Sequence, residues 1–240
     1  MTSTSRLLIV STSTIHGSGY LEYILPEVAN FFHGRENLIF IPYARPGGIS
    51  HDGYTELAQK AFASVGLSIR GLHTFDDPAQ AIREAGGFFT GGGNTFVLLK
   101  TLYERELIPA LQAAVGAGTP YMGTSAGANL TGLTVNTTND MPIVHPPSLD
   151  ALAFVPFNIN PHYLDPIEGS THMGETRETR IKEFHHFNTQ PVLGLREGSW
   201  LRLENNQLEL KGPHTARLFN AGKTPEELQP GPVNQLLSNA

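Results

Sequence analysis

Ser125 lies in the short sequence Gly-Thr-Ser-Ala-Gly, which spans residues 123–127. An apolar run, Pro120–Met122, precedes it and small residues follow it, which is the pattern of a strand, a sharp turn and a helix. Such a turn holds a serine in a strained conformation with its hydroxyl outward, and the flanking glycines let the backbone double back without a Cβ clash. We therefore expect Ser125 to be the nucleophile of an acyl-transfer reaction, with a purely structural glycine turn as the alternative.

Backbone N–H groups near this serine could stabilise an oxyanion. The N–H of Ala126 starts the predicted helix and points to the place where negative charge would develop. A second candidate is the sequence Gly-Gly-Gly-Asn at residues 91–94, which joins a predicted strand to a predicted helix. It lacks the Lys-Ser/Thr ending of a P-loop and the spacing of a dinucleotide fingerprint, so an oxyanion role is favoured over phosphate binding. A turn that only allows close helix–strand packing is the alternative.

A serine nucleophile needs a general base, and His162 is the preferred candidate among the ten histidines. It follows Asn-Pro just beyond a predicted strand, which places it at the sheet edge where Ser125 is also expected. His145 is the alternative. The base in turn needs an orienting carboxylate, and both Asp140 and Glu197 are candidates. Each of these two could equally cap a loop or lie on the surface.

The composition limits the classes of protein to which the chain can belong. Its 240 residues are enough for one large domain, and its formal net charge of -6 argues against nucleic acid as the main partner. It contains no cysteine, which excludes disulfides, thiolate metal sites and a cysteine nucleophile. The zinc-binding pattern His-Glu-x-x-His is absent, so we expect no metal.

The apolar runs are too short for a membrane protein. The first of them, Leu7–Val10, cannot form a signal-peptide core or a membrane span, and no other stretch is long enough to cross a bilayer. We therefore expect a soluble, cytoplasmic enzyme that acts on a small molecule and has no membrane partner. The oligomeric state stays open, because the sequence shows no coiled-coil seam or apolar stripe.

Predicted strands and helices alternate from the N-terminus to the serine turn. Continuous apolar runs predict buried strands, and apolar residues at helical spacing predict the helices between them. The strands are predicted at 7–10, 38–42, 67–72, 87–90 and 120–122, and the helices at 20–32, 54–65, 78–85, 95–102 and 107–117. This alternation predicts one α/β domain over residues 1–240, with a doubly wound, mostly parallel sheet and helices on both faces.

The second half of the chain is predicted to be less regular. A polar segment at 131–147 precedes a strand at 154–158, a helix at 175–187, a strand at 192–195 and a hairpin of 199–203 with 207–210. The tail after Lys223 is expected to be irregular or to form a short helix.

Six short motifs occur in an order and spacing that are specific in combination. They are Gly91–Phe96, Gly123–Asn129, Thr137–Pro142, Asn160–His162, Gly174–Glu178 and Glu197–Trp200. Together they resemble peptidase E, the α-aspartyl dipeptidase family, over residues 7–220. Thr124 differs, because the bacterial pattern has tryptophan there. The resemblance implies a serine peptidase without a cofactor, on a flavodoxin-like three-layer fold related to class I glutamine amidotransferases.

The resemblance implies roles for individual residues. It makes Ser125 the nucleophile and His162 the base, with the N–H groups of Gly93 and Ala126 as the oxyanion hole. Asn94, which ends the glycine loop, becomes a substrate-binding residue.

The resemblance supports both Asp140 and Glu197 as the carboxylate of the triad; we favour Asp140 and keep Glu197 as its rival. The implied substrate is a dipeptide with an N-terminal aspartate. Its β-carboxylate needs a cation, because an unpaired charge in a closed pocket is costly. Arg177 and Arg180 share a helix face three residues apart and are the candidates, with a solvated helix surface as the alternative.

Two other functions stay open at the level of sequence. Another serine hydrolase on the same scaffold, such as an esterase or a cyanophycinase-like peptidase for β-aspartyl bonds, would use the same nucleophile. A non-enzymatic module would bind a small anion at the glycine loop and use the serine turn only as structure.

Overall fold

The computed structural model describes residues 5–166, 169, 171 and 173–238. The α-helices in this part of the chain are α1 (Leu25–Phe31), α2 (His51–Ala63), α3 (Pro78–Glu84), α4 (Thr95–Glu104), α5 (Ile108–Gly116), α6 (Ala126–Asn129) and α7 (Arg177–Phe184). The strands are β1 (Leu7–Val10), β2 (Leu38–Ile41), β3 (Ile69–Gly71), β4 (Gly87–Thr90), β5 (Tyr121–Thr124), β6 (Asn158–Pro161), β7 (Val192–Leu195), β8 (Trp200–Glu204), β9 (Gln207–Lys211), β10 (Ala216–Phe219), β11 (Glu226–Leu228) and β12 (Gly231–Pro232). None of the described helices has the length and apolar character needed to cross a bilayer.

The larger sheet contains eight strands in the order β12-β9-β8-β1-β5-β4-β2-β3. The five strands from β1 to β3 in this order run parallel, and β8, β9 and β12 extend the sheet with antiparallel pairings. Every residue of β1 is buried: Leu7 and Ile9 point into one apolar layer, and Leu8 and Val10 into the other. Both faces of the sheet are therefore covered, as the continuous apolar runs of the sequence predict.

The smaller sheet has the order β11-β10-β7-β6. Its strands β6 and β7 are parallel, so their carboxyl ends lie at the same edge, whereas β10 and β11 pair antiparallel. Ile159 of β6 and Leu193 of β7 belong to the same apolar cluster as Leu7 and Tyr121 of the larger sheet. The two sheets therefore pack on a shared core.

One predicted strand is wrong in position. The apolar residues Val155 and Phe157 are buried in the core, but they lie in a loop, and the strand begins at Asn158. Asn158 is a buried polar residue whose side-chain oxygen accepts the Thr134 N–H at 2.9 Å. Because the polar segment supplies a hydrogen-bond partner, the polar residue Asn158 can begin a buried strand. Hydrophobicity alone predicts the strand at 154–158 instead.

Two further predictions are corrected. The helix predicted at 20–32 is an α-helix only over Leu25–Phe31, after a 3-10 turn at Glu22–Ile24. The tail after Lys223 adds β11 to the smaller sheet and β12 to the larger one, and in its described part the short helix given as an alternative occurs only as a 3-10 turn at Asn234–Leu237.

Candidate active site

Ser125 lies in the tight turn between β5 and α6. Its φ of 54° and ψ of -110° are a strained combination for a residue that carries a side chain. A Cβ on Gly123 would overlap the carbonyl group of Gly127, and a Cβ on Gly127 would overlap the carbonyl oxygen of Thr90. Both flanking positions therefore require glycine, and the chain forms the strand, turn and helix that the sequence predicts.

His162 follows the end of β6, and its ring lies between Ser125 and Glu197. The Nε2 atom is 2.8 Å from the Ser125 Oγ, and Nδ1 is 2.6 Å from the Glu197 Oε1. When Nδ1–H donates to the carboxylate, Nε2 carries the lone pair that accepts the serine proton. The side chains of His162 and Glu197 are 33% and 48% exposed, so substrate and water can reach the imidazole. The three side chains have the connectivity of a catalytic triad.

Hydrogen bonds from distant segments fix the backbone of His162, which has a left-handed φ of 54°. Its N–H donates to the Ser11 Oγ at 2.9 Å, and the same Oγ donates to the Leu195 carbonyl oxygen at 2.7 Å. The side-chain amide of Asn139 donates to the Pro161 carbonyl oxygen at 2.6 Å. A fully buried serine after β1 therefore joins the ends of β6 and β7, the two strands that precede His162 and Glu197.

Glu197 lies two residues after the end of β7. Next to it, a second polar contact joins the segments that follow β6 and β7. The preceding residue, Arg196, donates two hydrogen bonds of 2.8 Å to the carboxylate of Asp165. Asp165 comes three residues after His162 in the sequence. Tyr23 also lies near Glu197: burial first, and the Glu197 charge second, raise the pKa of its hydroxyl. The segments that follow the base and precede the carboxylate are thus fastened together.

Asp140 lies at the N-terminus of α4 and not beside His162. Its Oδ2 accepts hydrogen bonds from the Thr95 N–H at 2.7 Å, the Thr95 hydroxyl at 2.6 Å and the Thr138 hydroxyl at 3.2 Å. A negative charge is favourable there, because the first N–H groups of a helix lack partners within it. The structure thus corrects the preference for Asp140: the carboxylate that contacts the imidazole is that of Glu197.

The glycine loop, residues 91–94, packs directly against the serine turn. A Cβ built on Gly92 would lie 2.9 Å from the Ser125 Cβ, so a side chain there would crowd the nucleophile. Gly93 has a φ of 146°, which residues with side chains rarely adopt. Ala126 is the first residue of α6, where an N–H has no partner inside the helix. The two expected oxyanion donors therefore lie on the two segments that border the serine.

Asn94 uses its side chain to hold the loop in place. Its Oδ1 accepts the Val97 N–H at 3.1 Å, and its Nδ2 donates to the Met141 carbonyl oxygen at 2.9 Å. The first bond caps α4, and the second ties the polar segment to the loop. These contacts occupy both polar ends of the amide, so a direct contact of Asn94 with substrate stays a prediction.

Arg177 and Arg180 lie on the first turns of α7. Arg177 is half-buried, and burial followed by the Arg180 charge lowers the pKa of its guanidinium, while the Asp140 charge opposes this change. Arg180 is exposed and lies 3.7 Å from the carboxylate of Glu175. A bound anion would therefore stabilise the charged form of Arg177 more than that of Arg180, because the charge of Arg177 is partly desolvated.

The side chains of the site can do chemistry without forming a metal-ligand cluster. Among the described residues, no group of three or more histidine, aspartate or glutamate side chains could hold a metal ion. The groups on which a reaction can be built are a serine hydroxyl, an imidazole and a carboxylate.

The chain is similar to known peptidases over nearly its whole length. It matches the model of peptidase family S51 over residues 7–211. The chain belongs to this family. A relative from Streptomyces coelicolor, named "Peptidase E", is 52% identical over 226 residues, which cover 94% of this chain and 92% of the relative. A relative from Drosophila melanogaster, named "Probable alpha-aspartyl dipeptidase", is 47% identical over 233 residues and 96% of each chain.

The fold of this S51 peptidase is also found in solved structures. A peptidase from an acI-B1 Actinobacterium matches it with a TM-score of 0.69 and 16% identity, over 94% of each chain. At this low identity the likeness concerns the fold alone. The family expected from the six motifs and the doubly wound α/β fold are both confirmed.

Two residues that hold the site of this S51 peptidase, Ser11 and Asn139, are not predicted from the sequence. Ser11 contacts His162 across 151 positions in the sequence, and Asn139 contacts Pro161 across 22. No periodicity predicts such contacts, and the motif Thr137–Pro142, which contains Asn139, does not show which group Asn139 contacts. The one signal for Ser11 is that it follows a buried parallel strand, at the edge where α/β sheets place their sites.

Proposed function

We propose that this S51 peptidase is a serine exopeptidase that hydrolyses dipeptides with an N-terminal aspartate. The observation that carries the proposal is the continuous contact from the Ser125 hydroxyl through the His162 ring to the Glu197 carboxylate. The name of the Drosophila relative supports the substrate class. The acylation and deacylation steps follow from the geometry.

In the acylation step, Nε2 of His162 takes the proton of the Ser125 hydroxyl while the oxygen attacks the aspartyl carbonyl carbon. Glu197 holds the ring through Nδ1 and stabilises the imidazolium that forms. The carbonyl oxygen becomes an oxyanion, which accepts hydrogen bonds from the N–H groups of Gly93 and Ala126.

Collapse of this intermediate breaks the peptide bond. His162 gives its proton to the leaving amine, and the second amino acid departs while the aspartyl group stays on Ser125 as an ester. Water then loses a proton to the imidazole, whose side chain is one-third exposed, and attacks the ester carbon. The imidazolium returns this proton to the Ser125 oxygen as the ester bond breaks and aspartate leaves, so the cycle needs no cofactor.

Arg177 is the residue that we assign to the substrate β-carboxylate. Its guanidinium is half-buried, and no described carboxylate makes a hydrogen bond or ion pair with it. A substrate carboxylate would supply the missing partner and offset the cost of desolvating the cation. Arg180 already has Glu175 nearby and is expected to contribute less.

The direct test compares Asp-Leu, β-aspartyl-Leu and Leu-Leu as substrates of the wild type and of Ser125→Ala. We expect the wild type to hydrolyse Asp-Leu roughly 10- to 100-fold faster than the other two, because a hydrogen bond to a charged partner is worth about 1.5–3 kcal/mol. Ser125→Ala should lose this activity. Faster hydrolysis of β-aspartyl-Leu would indicate a β-aspartyl peptidase, and a folded wild type that hydrolyses none of the three would contradict the proposal.

The assignment of Arg177 is tested with Asp-Leu and its uncharged isostere Asn-Leu. We expect Arg177→Gln to lower kcat/KM for Asp-Leu by roughly 10- to 100-fold and to change kcat/KM for Asn-Leu little. Arg180→Gln is the matched comparison on the same helix, with a smaller loss. Equal losses on both substrates in Arg177→Gln would show that the residue does not bind the β-carboxylate.

A further inference from the structure

A dipeptide substrate carries a second carboxylate, which Arg177 does not account for. Besides the β-carboxylate of aspartate, the leaving residue ends in a free α-carboxylate. This group lies one residue beyond the scissile bond, within roughly 3.3–3.6 Å along the chain. A cation on a segment in contact with the glycine loop or the serine turn is therefore well placed to bind it.

Arg45 belongs to such a segment. The preceding residue, Ala44, accepts the Asn94 N–H at 2.7 Å through its carbonyl oxygen, and that carbonyl also packs against Gly93. The backbone at Arg45 is thus fastened to the loop that we assign to the oxyanion. Arg45 follows β2 in the chain, at the carboxyl edge of the parallel sheet where Ser125 also lies.

The side chain of Arg45 lies over a tyrosine that supports the same loop. Its Cζ is 5.1 Å from the ring centre of Tyr54, and the Tyr54 hydroxyl donates to the Gly92 carbonyl oxygen at 3.1 Å. Tyr54 is buried, so its ring is a fixed platform for the guanidinium. Gly92 in turn faces the Ser125 Cβ. Two contacts with the glycine loop therefore hold Arg45 close to the site. The residue before it, Ala44, contacts the loop through its backbone, and the tyrosine under its guanidinium contacts the loop at Gly92.

The guanidinium of Arg45 is available to a ligand. The residue is exposed, and within the described part of the chain no carboxylate makes a hydrogen bond or ion pair with it. A guanidinium fork matches the geometry of a carboxylate and can bind it through two parallel hydrogen bonds. Resting on the proposed dipeptidase function, we infer that Arg45 binds the free α-carboxylate of the leaving residue and so selects dipeptides over longer peptides.

Arg105 provides a matched control, because it stacks on a tyrosine ring but is not assigned to a substrate carboxylate. Its Cζ is also 5.1 Å from a tyrosine ring, that of Tyr43. It lies at the C-terminus of α4, whose first residue follows the glycine loop, so ten helical residues separate the two positions. Ten residues of α-helix span roughly 15 Å. Loss of Arg105 therefore removes an equivalent cation–ring contact from an arginine whose backbone lies at the far end of α4 from the glycine loop.

The experiment measures kcat/KM for Asp-Leu and for aspartyl-leucinamide, which lacks the terminal charge, in the wild type, Arg45→Gln, Arg45→Lys and Arg105→Gln. We expect the wild type and Arg105→Gln to prefer Asp-Leu by about tenfold, the size expected for an accessible charge-assisted contact. Arg45→Gln should lose this preference by slowing on Asp-Leu alone, and Arg45→Lys should keep part of it. Thermal unfolding midpoints verify that the variants are folded.

The outcomes separate this inference from the proposed function. If Arg45→Gln keeps the wild-type preference, or loses activity equally on both substrates, the inference is overturned while the dipeptidase function stands. A wild type with no preference for Asp-Leu over its amide would also overturn the inference. A folded wild type that hydrolyses neither substrate would overturn the proposed function, and the inference with it.

Discussion

Ser125 and His162, the proposed nucleophile and base, occupy equivalent places in two different sheets, but they are held by different means. Ser125 follows a strand of the larger sheet and His162 a strand of the smaller one, and both have a φ of 54°. Such a conformation costs about 1–3 kcal/mol in a residue with a side chain. At the serine, close backbone packing at Gly123 and Gly127 maintains it. At the histidine, hydrogen bonds from residues far away in the sequence maintain it.

This difference shows that contacts between neighbouring residues maintain the serine turn, whereas contacts between distant segments maintain the position of the histidine. The serine turn is built from five consecutive residues, and its glycines contact each other or the adjacent strand. The position of the histidine depends on Ser11, which lies in the first strand–helix connection. We therefore expect substitutions on the serine side to act through steric overlap, and those on the histidine side to act through lost hydrogen bonds.

The largest effect is expected from Gly123→Ala. The new Cβ would overlap the carbonyl group of Gly127, and backbone overlap of this kind costs about 3 kcal/mol or more. We expect a much lower yield of folded protein and no measurable hydrolysis of Asp-Leu. Gly116→Ala is the control, because a Cβ there meets nothing within 4 Å and the residue lies in α5, where alanine is favoured. Wild-type stability and activity in Gly123→Ala would contradict the steric account.

The next effect distinguishes the two carboxylates. We expect Glu197→Gln to lower kcat by about 10²–10⁴-fold with little loss of stability, because its carboxylate contacts the imidazole and is half-exposed. Asp140→Asn should lower the free energy of unfolding by about 1–2 kcal/mol and affect KM more than kcat, because it caps α4. Steady-state kinetics and urea unfolding of both variants measure the difference. A larger loss of kcat in Asp140→Asn would restore the original assignment.

The smallest of these effects is expected from Ser11→Ala, which leaves the partly buried N–H of His162 and the buried carbonyl of Leu195 without their shared partner. We expect roughly tenfold lower kcat, little change in KM and a loss of about 1–3 kcal/mol in stability. Ser199→Ala is the matched control. Ser199 is equally buried and likewise bridges backbone groups, but both belong to His214. If both variants lose stability and keep the wild-type kcat, Ser11 has only a structural role.

The sequence predicts those parts of the molecule whose cause is local. The buried runs at Leu7–Val10 and Leu38–Ile41 form the expected strands. A continuous apolar segment avoids water only in a strand that is covered on both faces. The serine turn and the glycine loop are predictable for the same reason, since their geometry requires glycine at fixed positions.

The remaining errors come from contacts between distant segments. The strand expected at 154–158 is displaced because Asn158 finds a hydrogen-bond partner in Thr134. From the sequence, Asp140 is a plausible partner for a histidine. In the structure the polar segment passes the start of α4, and the Asp140 carboxylate accepts the Thr95 N–H. In both cases the sequence shows which polar groups need partners, and only the fold decides which partners they find.

The central claim is that Ser125 and His162, which are supplied by two sheets, act as one unit. The most direct test measures kcat for Asp-Leu in Ser125→Ala, His162→Ala and the double variant. Groups that share one proton transfer are not additive, so we expect each single variant to lose about 10⁴-fold or more and the double variant to lose no more than the worse single one. Losses that multiply in the double variant, or substantial activity in Ser125→Ala, would contradict the account.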